Sequence, residues 1–279
     1  MNYFFNNFFQ KKSKLFKVSI INTFGFKKDI FLKTRTEVYI DIIPNSIKKF
    51  KRIIVILEPD EISGIRNSLL SLKPSDFDLI LTHDPIVLNH FTNSKLFPFG
   101  TTWIKDFDFC DKVYGVSTLI GGKSITVLHR LRHRLLELLD LNFDINLFFF
   151  NSYNQALENS NNNLPKIKSS SFKNELFFCQ FHIAIENVIS DNWFTEKLID
   201  CFQTKTVPIY LGCPNIGNYF DKRGMIIVES FSDIISVLES LKPDTYFNML
   251  EFINKNYELS KEYIDFGIRL EKELYLIDK

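Results

Sequence analysis

Residues 184–212 read AIENVISDNWFTEKLIDCFQTKTVPIYLG. The apolar run through Ile185 reads as a buried strand that delivers Glu186 and Asn187 to its C-terminal end. A polar loop follows, with Ser190, Asp191 and Asn192. Thr195 stands where a helix N-cap belongs, and Glu196 and Lys197 fall in the first turn. Glu196 suits the positive end of the helix dipole, whereas Lys197 does not. A first-turn lysine is explained if it holds an anion, because a cation beside helix N–H groups makes a phosphate site. Leu198, Ile199, Cys201 and Phe202 then pack the helix on a sheet. Thr206-Val207-Pro208-Ile209 starts the next strand and Gly212 ends it. Ligands of open α/β sheets bind at such C-terminal strand ends.

The same alternation extends in both directions. Upstream, Lys51-Arg52 lead into the β-branched run Ile53–Leu57, which Glu58-Pro59-Asp60 end abruptly. Asp78–Leu81 predicts a second strand closed by Thr82-His83-Asp84-Pro85, and Lys112–Leu119 a third closed by Gly121-Gly122. Helical spacing runs over Thr126–Leu139, with Leu128, Leu131, Leu135 and Leu138 on one side. Downstream, Phe177–Glu186, Thr206–Leu211 and Met225–Val228 predict strands, and Thr195–Thr204, Phe231–Leu241 and Tyr246–Ile264 predict helices. Strand–helix alternation in both halves implies α/β sheets with right-handed crossovers. Between the halves, Asn151–Ser171 carries loop chemistry: Asn159–Asn163 broken by Ser160, Leu164-Pro165, and Ser169-Ser170-Ser171. The expected division is therefore residues 1–150 and residues 151–279.

Composition excludes several classes. Thirty-four basic against 33 acidic residues leave a net charge of +1, too little for a protein that coats nucleic acid. Hydrophobic residues make up 45% of the 279, which suits a globular chain with room for a core and not a disordered one. The longest unbroken apolar run, Ile53–Leu57, is far short of the roughly 18 residues of a spanning helix. The N-terminus places Tyr3–Phe9 before Lys11–Lys17, the wrong order for a secretory signal. A frayed terminus is expected there, with weak peripheral contact at the inner membrane face as the alternative. Cys110, Cys179, Cys201 and Cys213 form no C-x-x-C and gather no histidines, so reduced thiols in a cytoplasm are expected and zinc is not.

Residues 177–221 carry an ordered resemblance. Ile185-Glu186-Asn187, Trp193-Phe194-Thr195-Glu196-Lys197, Val207-Pro208-Ile209 and Gly212 resemble the donor motif of the α1,3/4-fucosyltransferases. That motif runs Phe-Glu-Asn, Tyr-x-Thr-Glu-Lys, Val/Ile-Pro-Ile/Val, Gly. Ile185 replaces its Phe. Trp193 replaces its Tyr, keeping an aromatic face and losing the hydroxyl. The resemblance implies a GT-B architecture, two Rossmann-like domains with parallel sheets and a cleft between them. It implies GDP-fucose as donor and inversion at the sugar centre, with no metal required. The N-terminal half would hold the acceptor glycan and the C-terminal half the nucleotide sugar.

The resemblance also implies roles. Glu58, at a strand end, matches the general base for the acceptor hydroxyl, with Glu61 its near competitor. Arg132 matches a diphosphate-contacting arginine early in a helix, ahead of Arg130, Arg134 and Lys123. Lys197 would be the second cation on the diphosphate, Asn187 and Glu196 would hold ribose or fucose hydroxyls, and Glu186, Trp193 and Thr195 complete the donor set. Two alternatives keep the fold: a transferase using another nucleotide sugar, and a nucleotide-sugar or glycan binder without turnover. Histidines 129 and 182 are expected to be structural, and His83-Asp84 a turn. The triplets Asp76-Phe77-Asp78 and Asp106-Phe107-Asp108 sit on the wrong side of their strands for a metal-dependent glycosyltransferase.

Overall fold

Ile53, Ile54, Val55 and Ile56 are all buried, so the strand Lys51–Ile56 has no wet face. A strand apolar on both sides belongs inside a parallel sheet covered by helices. The computed structural model describes residues 15–109, 111–152, 166–167 and 173–279. In it, Lys51–Ile56 is the central strand of a five-stranded parallel sheet that runs in chain order: Ser19–Asn22, Thr36–Ile40, Lys51–Ile56, Leu79–Thr82, Ser94–Leu96.

The second sheet has six parallel strands, ordered Lys166–Ile167, Asn146–Ser152, Val113–Ile120, Cys179–Ile185, Val207–Leu211, Ile226–Ile227. Numbered along the chain, that order is 3-2-1-4-5-6, the doubly wound pattern. The chain direction reverses across the sheet between Val113–Ile120 and Cys179–Ile185. At that switch point helices leave to opposite faces and a crevice opens at the strand ends.

Sheet membership departs from a division at residue 150. Val113–Ile120 and Asn146–Ser152 pair with Cys179–Ile185, so residues 113–152 build the second sheet. The C-terminal helix Phe266–Ile277 returns to the first sheet, where Leu270 and Leu274 are fully buried with Val38, Ile53 and Val55. Burying such a side chain contributes about 1.5–3 kcal/mol. The loop-rich stretch from 151 to 171 lies largely outside the described residues, as do Cys110 and all of Tyr3–Phe9. The helix expected over Thr126–Leu139 is α-helical only through Arg134 and tightens to a 3-10 turn over Leu135–Asp140.

The two sheets are bridged by main-chain contacts of the connecting segment. Gly100 N–H donates to Phe194 O at 3.1 Å and Thr102 N–H to Ile264 O at 3.2 Å. Arg269 caps the same segment, its guanidinium donating to the carbonyls of Pro98, Phe99 and Gly100. Gly100 has φ +39°, and a Cβ there would lie 2.8 Å from the Tyr263 Cβ, an atom too close to the backbone to swing aside. Gly100→Ala is therefore expected to lower the unfolding free energy by about 1–3 kcal/mol, read by urea denaturation. Unchanged stability would remove this residue from the hinge between the sheets.

Candidate active site

Two contiguous cavities lie at the strand ends. The first, of about 270 Å³, opens at the switch point of the second sheet. It is lined by Gly121 and Lys123 after one strand and by Ile183–Ile185 and Asn187 at the end of the other, with His129, Arg132, Glu196 and Lys197 around its mouth. The second, of about 540 Å³, lies between the sheets. Asp41, Leu57, Glu58 and Ser63 face Trp193, Thr195 and Lys197 across it. Trp103, Asn187, Glu196 and Lys197 line both.

The shared wall is the start of the helix Glu196–Gln203. Thr195 caps it, its hydroxyl accepting from the Lys197 N–H at 3.3 Å. Glu186, with no exposed surface, braces the cap: its carboxylate accepts from Thr195 N–H and from Thr195 Oγ1, both at 2.8 Å. Lys197 Nζ lies 3.0 Å from Glu196 Oε1 and 3.8 Å from Glu186 Oε2. Burial opposes the ammonium charge, but Glu196 and Glu186 outweigh it and hold the Lys197 pKa above its ordinary value. Burial raises Glu186, with Lys197 opposing. Glu196, though desolvated, is held well below the usual carboxylate range by Lys197 and Lys173.

Arg132 joins this cluster, and two of its three competitors do not. Its guanidinium donates to Asn187 Oδ1 at 2.7 Å and lines the first cavity, where burial lowers its pKa. Arg130 is tied to the carbonyls of Ser124 and Ile125, and Arg134 pairs with Glu137 on the surface. Lys123, read from sequence as surface charge, lines the cavity as well. Thr126 Oγ1 donates to Asn187 O at 2.5 Å, so the helix bearing Arg132 is fastened to the strand end bearing Asn187.

Glu58 lines the second cavity and the exposed Glu61 does not. Burial raises the Glu58 pKa, with Lys197 opposing and Glu196 adding to the rise, and among the described residues its Oε2 has no hydrogen-bond partner. Trp193 lines the second cavity and also bridges to the first sheet. It is 1% exposed, and its indole N–H donates to Leu57 O at 2.8 Å. Trp193 thus joins the loop before the second-sheet helix to the peptide that carries Glu58.

Four cavity residues had no motif to announce them. Asp41, at φ +51°, accepts from the N–H groups of Leu57 at 2.8 Å and Glu58 at 3.2 Å, and burial pushes its carboxyl up to about 7. Trp103 and Lys173 lie together beside the start of the helix Glu196–Gln203, with Lys173 Nζ 4.0 Å from the Trp103 ring centroid and 3.6 Å from Glu196. Asp200 is the fourth: Oδ1 accepts from Thr102 Oγ1 at 2.6 Å and Trp103 N–H at 2.8 Å. Its only sequence signal was a carboxylate inside the apolar stripe of Leu198, Ile199, Cys201 and Phe202.

Other polar residues have partners in the local structure, His129 and His182 while also lining the first cavity. His129 lies in the cap of the helix that begins at Val127, and burial takes its pKa down to about 4. The His182 ring lies 2.8 Å from Ser117 Oγ. Asp84 caps the helix Pro85–His90 and pairs with Arg66, which makes His83-Asp84 the expected turn. Asp78 holds the Arg52 N–H and the Lys48 ammonium. Among the described residues no group of three or more His, Cys, Asp or Glu is placed to hold a metal ion, and no helix is long and apolar enough to cross a membrane.

Residues 126–266, half of the chain, match the family model described as glycosyltransferase family 10 (fucosyltransferase) C-term. The chain belongs to glycosyltransferase family 10. Curated relatives of this family-10 chain include GDP-fucose protein O-fucosyltransferase 3 of Xenopus tropicalis, 28% identical over 123 residues, 42% of this chain. Another is the alpha-(1,3)-fucosyltransferase FucT of Helicobacter pylori, 30% identical over 76 residues, 25% of this chain. The chain spans 24% and 16% of the lengths of those relatives. Among solved structures, an alpha1,3-fucosyltransferase with GDP-fucose aligns at TM-score 0.50 and 14% identity over 82% of this chain and 80% of that one. TarM aligns at TM-score 0.55 and 11% identity over 88% of this chain and 55% of its own. With two parallel sheets and a cleft at their strand ends, the architecture is GT-B.

Asp200 gives a pH signature. Burial raises its carboxyl from 3.8 to about 7, so over that window the folded chain holds a proton that the unfolded chain has released. Stability from this group is full below the lower value and is lost as pH rises through the upper one. Asp200→Asn, which keeps the Oδ1 acceptor, is expected to gain stability relative to wild type between about pH 4.5 and about pH 7.5, measured by urea unfolding. A parallel pH dependence in both proteins would remove Asp200 from this account.

Proposed function

We propose that the chain is an inverting fucosyltransferase that moves fucose from GDP-fucose to a hydroxyl of an acceptor glycan. The observation that carries this reading is the placement of Lys197 and Arg132 around one cavity, with Glu58 across the adjoining one. The half built on the second sheet grips the nucleotide sugar, and the half built on the first presents the acceptor and base. Family membership and the names of the relatives support the donor.

The chemistry follows from charge. Breaking the sugar–phosphate bond leaves a nucleoside diphosphate with one more negative charge. Arg132, Lys197 and the N-terminus of the helix Glu196–Gln203 take up that charge in place from the start, with little reorganisation. The sugar centre becomes oxocarbenium-like and the acceptor oxygen attacks from the opposite side. Glu58 accepts the hydroxyl proton as that bond forms, and its burial-raised pKa strengthens it as a base. A single carboxylate base suffices for direct displacement, which inverts the centre. Asn187 and Glu196 are placed to hold sugar hydroxyls, while Glu186 and Thr195 position Lys197. Trp193 positions Glu58 through the Leu57 carbonyl.

Glu58→Gln is expected to lower transfer by about 10²- to 10⁴-fold while GDP affinity stays, with kinetics and calorimetry as the readouts. Wild-type turnover in this variant would overturn the assignment of the base. Lys197→Ala is expected to weaken GDP far more than guanosine, since the ammonium faces phosphate; equal weakening would assign Lys197 to folding. In a thermal-shift comparison GDP is expected to stabilise the chain more than UDP does. The reverse order would replace the donor with another nucleotide sugar.

A further inference from the structure

The helix Val127–Arg134 begins with a cap that reaches into the first cavity. Thr126 is its N-cap, and His129 stands at the third helical position, where a capping box usually places Glu or Gln. His129 is 5% exposed and lines the cavity. Its Nδ1 lies 2.6 Å from Thr126 Oγ1 and 3.3 Å from Thr126 N. The Thr126 hydroxyl spends its own hydrogen on Asn187 O, at 2.5 Å, and accepts from the His129 N–H at 3.1 Å. The hydrogen in the 2.6 Å contact therefore belongs to Nδ1. The neutral ring is left with a bare Nε2, which makes no hydrogen bond among the described residues.

The surroundings keep that ring neutral until an anion arrives. Burial, then Arg132 on its own helix, Lys123 on the loop after Val113–Ile120, Lys197 on the helix Glu196–Gln203, and His133 hold the imidazole down at about 4. Two carboxylates, Glu196 and Asp200, line the same cavity, and Glu186 lies behind Lys197. His182, the other imidazole on this wall, is tied to Ser117. Among the described lining residues Lys123, Arg132, Lys173 and Lys197 outnumber those two carboxylates, so the cavity favours an anion. A phosphate oxygen and a bare Nε2 repel, since both present lone pairs. A proton on Nε2 turns that repulsion into a charge-assisted hydrogen bond. One unit charge about 4 Å away in a partly buried site shifts a pKa by about three units, enough to bring this imidazole to about 7. A glutamate in the same capping position would set a fixed negative charge against the ligand. The histidine serves the cap and gains charge only when the anion is present.

We infer that His129 is a further contact to the diphosphate, binding a phosphate oxygen through Nε2–H and taking up one proton from solvent as the nucleoside diphosphate enters. The inference rests on the transferase reading above and adds a proton to its donor-binding step. The proton returns to solvent when the diphosphate leaves, so it balances over a turnover. Cleavage of the sugar–phosphate bond leaves one more negative charge on the diphosphate, so the imidazolium holds the leaving group more tightly than the intact donor. Capping, the structural role expected of His129, is one of its two tasks.

Calorimetry of GDP binding to the full chain, in two buffers of different ionisation enthalpy, counts the protons taken up. A terminal phosphate itself titrates near about pH 6, and Asp200 sits at about 7. The readout is therefore the difference between wild type and His129→Gln, a variant that keeps a capping side chain and cannot be protonated. Wild type is expected to take up about 0.9 proton more than the variant at about pH 6, and about 0.1 more at about pH 8. Its GDP affinity is expected to be about tenfold higher than the variant's at about pH 6 and within about twofold of it at about pH 8. Guanosine, which has no phosphate, is expected to bind both proteins alike with equal uptake. The inference is overturned if GDP brings equal uptake to both proteins, if the ratio of GDP affinities is the same at both pH values, as for a histidine that only caps, or if guanosine shows the same differences. Any of these results with GDP bound would remove His129 alone and leave the transferase reading standing. Failure of GDP to bind wild type at either pH would remove both.

Discussion

An ammonium group held between two buried carboxylates at the mouth of a helix organises this molecule. Lys197 sits within ion-pair reach of Glu196 and Glu186, and Glu186 in turn holds the Thr195 cap. Each group depends on the others. Removing the lysine would leave the fully buried Glu186 carboxylate without its cation, while Glu196 would keep Lys173; breaking a buried pair typically costs about 3–5 kcal/mol. The backbone accommodates the cluster at Gly212, where a Cβ would stand 2.5 Å from the Glu186 side chain. The glycine that ends the strand is therefore there to admit Glu186. The two carboxylates hold the ammonium in place without a ligand, so that under the proposed function a diphosphate meets a preorganised cation.

The second constraint couples the two sheets at the peptide that precedes Glu58. Asp41 takes the N–H groups of Leu57 and Glu58 from one side, while the Trp193 indole donates to the Leu57 carbonyl from the other. The loop that carries Trp193 also reaches the first sheet through Asn192, whose amide donates to His83 O at 3.1 Å. Asn192 itself has φ +58° and is held by Asn215 and Tyr219. The loop linking Glu186 to the helix Glu196–Gln203 is thus also what fixes the strand end that carries Glu58. Left-handed backbone at Asp41, which lines the second cavity, and at Asn192, in the loop that leads to Trp193, is the kind of strain that surrounding structure must sustain.

Much of this was legible in the chain and some was not. The stretch from Ile185 to Gly212 revealed its strand, cap, helix and strand because each has a local signature, and three residues named there, Asn187, Glu196 and Lys197, line both cavities. Arg132 was separable from Arg130 and Arg134 only by tertiary contact, since all three share a helix and only one meets Asn187. The strand Asn146–Ser152 went unread because it runs straight into polar loop chemistry, and that displaced the expected boundary. The return of the helix Phe266–Ile277 to the first sheet depends on contacts more than two hundred residues apart along the chain, as from Lys51 Nζ to Ile277 O at 2.6 Å. Asp41 and Trp103 carry no motif; their meaning comes from what the fold sets opposite them.

The central claim is that Lys197 and Arg132 hold the diphosphate of an activated sugar at the switch point of the second sheet. A crystal structure of the chain with GDP tests it most directly. The account predicts diphosphate oxygens within about 3 Å of Lys197 Nζ and of the Arg132 guanidinium, at the start of the helix Glu196–Gln203. Diphosphate seated elsewhere, with Lys197 still closed on Glu186 and Glu196 alone, would contradict it.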